Sequence, residues 1–323
     1  MSGIDILKRF RVGVLAGGPS SEREISLKSA GAVFNALTGL GIDTVLMRID
    51  DEKSDLLTEI RLKGANLIFI ALHGRFGEDG TVQELLSGEG IPYTGSGPEA
   101  SRTALDKLAT KRKLAAVGIS VPASTSVFPG EDIVSRVREI RVPCVVKPRY
   151  EGSSIGLSVV TDPERLAGAV ETAFKYGEEV IVENFIPGRE LTVGVLDERA
   201  LPVIEILAAE GVYDYTSKYI SSGTKYNVPA EIGKENYVKA QALGLAAHNA
   251  LGCKSFSRTD LRMTSGGEFY VLEVNTIPGL TEKSLLPMAA ASEGVDFREL
   301  CVNMLQSALK YDDVKVRNRG EKK

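Results

Sequence analysis

The chain has 323 residues, 43% hydrophobic and 25% charged, which excludes disorder, collagen and coiled coil as whole-chain readings and fits two or three compact domains. With 39 Lys and Arg against 43 Asp and Glu, its net charge of −4 argues against a general nucleic-acid or membrane-surface binder. In chain order, the first ~95 residues alternate strand-like runs (11–16, 44–49, 66–72) with helix-like runs (24–40, 53–63), the pattern of βαβ units and a parallel sheet. The apolar stretch 12–16 follows Lys8, Arg9 and Arg11 but is too short for a signal peptide, so it reads as the first strand. Ligands of such sheets sit beyond the carboxyl ends of the strands, where Gly17-Gly18-Pro19-Ser20-Ser21-Glu22 and His73-Gly74-Arg75-Phe76-Gly77-Glu78-Asp79-Gly80 leave.

A Gly-rich linker is expected at 92–98 and one helix at 101–117. A small alternating block follows, with strands at 124–128, 143–147 and 180–183. From Arg189 strands dominate (191–196, 203–207, 255–262, 268–273), interrupted by one long helix at 232–251. Two helices close this block, the first at 282–291, and the basic segment 315–323 reads as a disordered tail. No apolar run approaches the ~18 residues that a membrane helix needs. Cys144, Cys253 and Cys301 form no CxxC pair, so reduced thiols in a cytoplasmic protein are expected rather than disulfides or structural zinc.

The common phosphate loop GxxxxGK[ST] is absent, Gly95-Ser96-Gly97 reads as a turn, and the two histidines build no HxxxH or Ser-His-Asp grouping. Lys147 ends an apolar strand, where its charge is costly to bury unless it meets an anion. The loop Glu151-Gly152-Ser153-Ser154-Ile155-Gly156 follows, with small residues whose N–H groups can converge on a phosphate; an ordinary hairpin loop is the alternative. Arg258 and Asp260 share one strand face, as do Glu273 and Asn275, and Thr264-Ser265-Gly266-Gly267 joins the two strands as a hairpin. Asp260, Glu273 and Asn275 then make an oxygen-donor site suited to Mg²⁺, unless the face is a salt-bridged one centred on Arg258. Gly279 can offer its N–H to an oxyanion beside Arg258, and Ser284 falls in a helix first turn that favours a carboxylate.

In this order, the segments LAGGPSSEREISL (15–27), ALHGRFGEDGTVQ (71–83), PYTGSG (92–97), DKLATK (106–111), VVKPRYEGSSIGLS (145–158), YDYTSKY (213–219) and LEVNTIPGLTEKSLLP (272–287) resemble the D-alanine–D-alanine ligases of the ATP-grasp superfamily. The resemblance spans nearly the whole chain and implies an α/β and α+β, three-domain ATP-grasp fold. Its domains would be an N-terminal parallel-sheet domain (1–97), a central subdomain (98–183) and a C-terminal domain (184–312), with ATP between the last two and a basic tail at 313–323. It further implies Lys107 and Lys147 on the phosphates, Glu183 and Ile186 at the adenine, Glu190 at the ribose, and Glu151, Ser153 and Ser154 in the ATP loop. Asp260, Glu273 and Asn275 would hold two Mg²⁺ or Mn²⁺ ions.

By the same resemblance, the carboxylate of one D-alanine attacks the γ-phosphate and the amine of a second attacks the resulting acyl phosphate. Arg258 and the Gly279 N–H would stabilise the oxyanion. Glu22 would hold the first ammonium with His73 close by, Ser153 and Tyr219 would join the Glu22 network, and Lys218, Ser284 and Leu285 would receive the second carboxylate. Tyr219 matches the dipeptide-forming type, since ligases that make D-alanyl-D-lactate usually lack it. A homodimer is expected, with D-alanine and ATP as partners and neither nucleic acid nor membrane insertion. The alternatives are a related ATP-grasp ligase that accepts D-lactate, D-serine or another amino acid, and a silent nucleotide-binding protein; retention of both lysines and the three metal-site residues argues against silence. Arg149-Tyr150 and Ser255-Phe256-Ser257 depart from the family pattern.

Overall fold

The computed structural model describes residues 3–51, 55–207 and 224–320. After a short helix α1 (Gly3–Leu7), β1 (Val12–Gly17), α2 (Arg23–Gly39), β2 (Thr44–Ile49), α3 (Leu56–Lys63) and β3 (Leu67–Ile70) build the first unit. The strands pair in parallel in the order β2-β1-β3, as the strand–helix alternation requires. Side-chain alternation then divides the sheet between two cores. Val12, Val14, Ala16, Leu67 and Phe69 enter one, and Leu15, Ile68 and Ile70 enter the other. The chain leaves β1 through Gly17 at φ +89, where a Cβ would lie 2.7 Å from the Ile49 carbonyl oxygen, so only glycine turns there without strain.

After α4 (Thr81–Gly88), two helices stand where the sequence suggests one: α5 (Pro98–Leu105) and α6 (Lys107–Ala116). Asp106 is the break. Its backbone is extended, and its carboxylate accepts from the Leu108 and Ala109 N–H groups, so a capping side chain restarts the helix. The second sheet is antiparallel in the order β4-β7-β5-β6, from β4 (Ser124–Val127), β5 (Cys144–Pro148), β6 (Ser158–Val160) and β7 (Val180–Asn184). Helices α7 (Ile133–Arg136) and α8 (Leu166–Phe174) accompany it, and its apolar cluster is its own, from Val127 to Val182.

The third sheet is also antiparallel, ordered β11-β10-β8-β12-β13: β8 (Arg189–Leu196), β10 (Ile204–Leu207), β11 (Lys225–Asn227), β12 (Phe256–Met263) and β13 (Phe269–Asn275). The two-residue β9 (Arg199–Ala200) pairs with β8. The long helix α9 (Lys234–Leu251) packs on it. The turn at 264–267 closes the β12–β13 hairpin through Thr264 N–H to Glu268 O at 2.9 Å. Helix α10 (Leu285–Ala291) begins three residues later than expected, so Ser284 stands at its N-cap in extended conformation and not in its first turn. The last helix α11 (Phe297–Gly320) runs across the start of the segment expected to be a disordered tail. The first sheet and the β12 side of the third share one core, in which Val14 and Phe69 join Phe256 and Leu286.

No described helix is long and apolar enough to cross a membrane, and all three cysteines are buried with free thiols.

Candidate active site

One cleft lies between the second and third sheets. Its walls include Lys107, Lys147, Glu183, Ile186 and Glu190, with Asp260 and Glu273 on the third-sheet side. Glu151 and Ser154 of the 151–156 loop line it too. Lys147 on β5 stands 2.6 Å from Glu183 Oε1, and Lys111 of α6 stands 2.6 Å from Glu183 Oε2. Two ammonium groups thus share one buried carboxylate. Burial works to raise the Glu183 pKa, but the two lysines outweigh it and hold it below the usual carboxylate value. Burial pushes Lys111 down to about 8 against the pull of Glu183. The Glu183 carboxylate is therefore committed to lysines, and what it can offer a base is its backbone. Lys107 donates to the Glu151 carbonyl at 2.5 Å. Ser153 and Ser154 sit at φ +51 and +57, consecutive left-handed residues of the kind that turn N–H groups toward an anion.

At the far wall, Glu190 is held by Arg262 at 2.9 Å, and Arg262 also donates to the Ile186 carbonyl and lies 5.2 Å from the Phe185 ring centroid. The β12–β13 register sets Arg258 opposite Asn275 and Asp260 opposite Glu273. Arg258 grips Asp260 with two hydrogen bonds, at 2.9 and 2.7 Å, and Thr192 and Asn275 also donate to the carboxylate, at 2.7 and 3.2 Å. The salt-bridged face and the oxygen-donor site are thus the same residues. Two facing carboxylates and an amide suit a hard cation that fills its shell with phosphate and water oxygens. Among the described residues no three His, Cys, Asp or Glu side chains group to hold a metal alone.

A second cleft opens on the other side of Glu273 and is lined by Glu22, His73, Ser153, Arg258, Gly279 and Ser284, with Asn275 and Leu285 beside them. Glu22 is the N-cap of α2, yet its carboxylate caps nothing; it accepts from the Ser153 hydroxyl, which reaches it from the 151–156 loop. His73 Nε2 contacts Ser29 Oγ at 3.0 Å, and burial pushes its pKa down to about 4, with a hydrogen bond to the Ile277 backbone opposing. It is a neutral ring at pH 7, as a hydrogen-bonded turn histidine would be. Ser284 Oγ contacts Thr281 Oγ1 at 2.9 Å and accepts from the Thr281 N–H at 3.1 Å.

The structure thus brings together every expected site residue except Lys218 and Tyr219, which lie outside the described residues. Sequence reasoning missed Lys111, Arg262 and Glu78. The buried lysine four residues after Lys107, at the helical i, i+4 spacing, was a readable signal for the first. The departures also find structural uses. Arg149 pairs with Asp106 and, at 2.5 Å, with Glu179, tying the α6 cap to the second sheet, and its guanidinium lies 5.0 Å from the Tyr150 ring. Ser257 Oγ meets His248 Nδ1 at 2.7 Å.

Family models described as "D-ala D-ala ligase C-terminus" and "D-ala D-ala ligase N-terminus" match residues 115–306 and 52–96. The D-alanine–D-alanine ligase of Geobacter sulfurreducens is 44% identical over 98% of both chains. That of Aromatoleum aromaticum is 46% identical over 95% of this chain and 99% of its own. Two crystal structures of the Bacillus anthracis ligase each align over 95% of this chain and 99% of theirs. One has TM-score 0.85 and 34% identity; the other, complexed with ATP, has 0.81 and 30%.

Proposed function

The chain belongs to the D-alanine–D-alanine ligase family, and from that premise we propose that it joins two D-alanines into D-alanyl-D-alanine for peptidoglycan precursors, splitting ATP to ADP and phosphate. The observation that carries the reading is the junction of the clefts: Glu273 lines both, with Lys107 and Asp260 on one side and Arg258 and Gly279 on the other. A phosphoryl group delivered from one cleft meets a carboxylate held in the other.

ATP lies in the first cleft, its base at Ile186 and the Glu183 backbone, its ribose at Glu190, its phosphates at Lys107, Lys147 and the 151–156 loop. Asp260, Glu273 and Asn275 would hold two Mg²⁺ or Mn²⁺ ions, whose chemistry is to neutralise phosphate charge. The first D-alanine sets its ammonium on Glu22 beside neutral His73, and its carboxylate attacks the γ-phosphate. The amine of the second D-alanine attacks the D-alanyl phosphate, and the tetrahedral oxyanion meets Arg258 and the Gly279 N–H. Ser284 and Leu285, at the start of α10, take the second carboxylate together with Lys218, and Tyr219 closes on the Glu22–Ser153 pair. The protein's work is positioning and charge neutralisation, as expected for phosphoryl transfer.

Family kinship also supports a division at 97 and 183, one sheet to each domain, together with a homodimer acting in the cytoplasm. The test is phosphate release from ATP and Mg²⁺ with D-alanine, L-alanine, or D-alanine plus D-lactate, with product masses recorded. Release with D-alanine alone and a dipeptide mass are expected. A depsipeptide as the main product would move the function to the D-lactate ligases, and no release with any amino acid would leave only a nucleotide-binding fold.

A further inference from the structure

The second amino acid enters as an ammonium ion, which has no lone pair, so a proton must leave before its nitrogen can attack. Among the described residues assigned to this cleft, Glu273 is given to the cations and the other candidate acceptors are already engaged. Glu22 faces the first ammonium and accepts from Ser153, Asp260 is gripped by Arg258, and the His73 ring is engaged by Ser29 and the Ile277 backbone.

We propose that Glu78, which borders the amino-acid cleft beside Gly279 and Arg258, is the catalytic base that deprotonates the second D-alanine's ammonium; the inference rests on the ligase reading above. Glu78 comes from the loop after β3. The N–H groups of Gly74 and Ile277 donate to its two oxygens, at 2.7 and 3.3 Å, and hold the carboxylate between the 74–80 loop and the 276–281 segment. It lines the amino-acid cleft and also a small cavity that reaches Lys107, Glu151 and Asn275, so it stands where that cleft meets the phosphate lysine. Its surroundings favour proton uptake. Burial, and next the charge of Glu22, push its pKa up to about 8, against the backbone donors and Arg258. The ammonium of a free amino acid, with its own carboxylate beside it, titrates above the roughly 7.7–8.0 of a chain's terminal amine, so a raised Glu78 narrows the gap that the proton must cross.

The step conserves its atoms. The ammonium gives one proton to the Glu78 carboxylate, and the nitrogen lone pair forms the C–N bond at the acyl carbon. The C–O bond to phosphate then breaks with its electron pair, phosphate leaves with the second nitrogen proton, and Glu78 returns its proton to water.

Hydroxylamine separates base from scaffold, because it is uncharged near neutral pH and attacks an acyl phosphate without losing a proton first. The full chain would be assayed with ATP, Mg²⁺ and D-alanine, with and without hydroxylamine, measuring dipeptide and D-alanyl hydroxamate. Glu78→Gln should cut dipeptide formation by ~10²–10⁴-fold, the usual contribution of a positioned base, while hydroxamate forms at the wild-type rate. Glu78→Asp, which keeps a carboxylate but alters its reach to Ile277, should make more dipeptide than Glu78→Gln. Parallel loss of both products in Glu78→Gln, an Asp variant no better than the Gln variant, or dipeptide formation within a few-fold of wild type would overturn the proposal. Wild-type protein that makes neither product would overturn the ligase reading itself.

Discussion

Arg258 has two demands on one guanidinium: it pins Asp260 at 2.7 Å, and its position beside Gly279 suits it to a developing oxyanion. Both act on the reacting end of the site and neither on the base pocket. Arg258→Ala should therefore lower kcat by at least ~10²-fold, the usual loss of an oxyanion donor, with nucleotide affinity little changed in a binding titration. Near-normal turnover would remove Arg258 from the mechanism. Glu183 presents the opposite balance, since its role is structural before it is chemical. One carboxylate is shared by two buried lysines, and Glu183→Leu leaves both ammonium groups without it. Breaking a buried pair in this way costs about 3–5 kcal/mol, which urea denaturation would detect as a lower midpoint. An unchanged midpoint would mean that the lysines find water or another partner.

At the scale of elements, the 151–156 loop couples the two clefts. It carries Glu151 and Ser154 to the nucleotide side and Ser153 to Glu22. A Cβ on Gly152 would lie 2.4 Å from Glu22 Oε2, so even a methyl group pushes the carboxylate off its place. Gly152→Ala should raise KM for D-alanine several-fold while KM for ATP changes little. Equal rises in both would show that the loop moves as one piece and that the Glu22 contact is not what the methyl disturbs. This coupling was only half legible in the sequence. Small residues after Lys147 pointed to an anion loop, but nothing local placed Ser153 against a residue 131 positions earlier. The α5–α6 break was hidden for a related reason: helical periodicity runs through Asp106, and what interrupts it is a cap strengthened by Arg149 from another sheet. The β12–β13 face, by contrast, was readable, because strand alternation and a hairpin turn suffice to bring Arg258, Asp260, Glu273 and Asn275 together.

Over the whole molecule, the strand-and-helix order foretold the parallel first sheet, since βαβ connections leave it little choice. It could not foretell that this sheet shares a core with the third through Phe256 and Leu286, a contact between distant parts of the chain. Burying titratable groups in and beside that assembly sets the pH response of the fold. Burial pushes His73 and His248 down to about 4 from 6.5, so the native chain keeps both neutral where the unfolded chain protonates them. Unfolded protein then binds more protons between those values, and stability rises with pH up to about 6.5. Glu78 acts in the other direction. Raised to about 8 from 4.5, it keeps its proton in the native chain after the unfolded chain has lost it, so its contribution falls as pH climbs toward 8. The two histidines outweigh the single acid below 6.5, and above it the acid acts alone among these three. Urea midpoints measured at constant ionic strength should therefore peak near pH 6.5 and decline toward 8, and Glu78→Gln should flatten the decline and steepen the rise below it, because the acid opposes the histidines there. A decline that persists unchanged in that variant would show that Glu78 ionises in the folded chain well below pH 8.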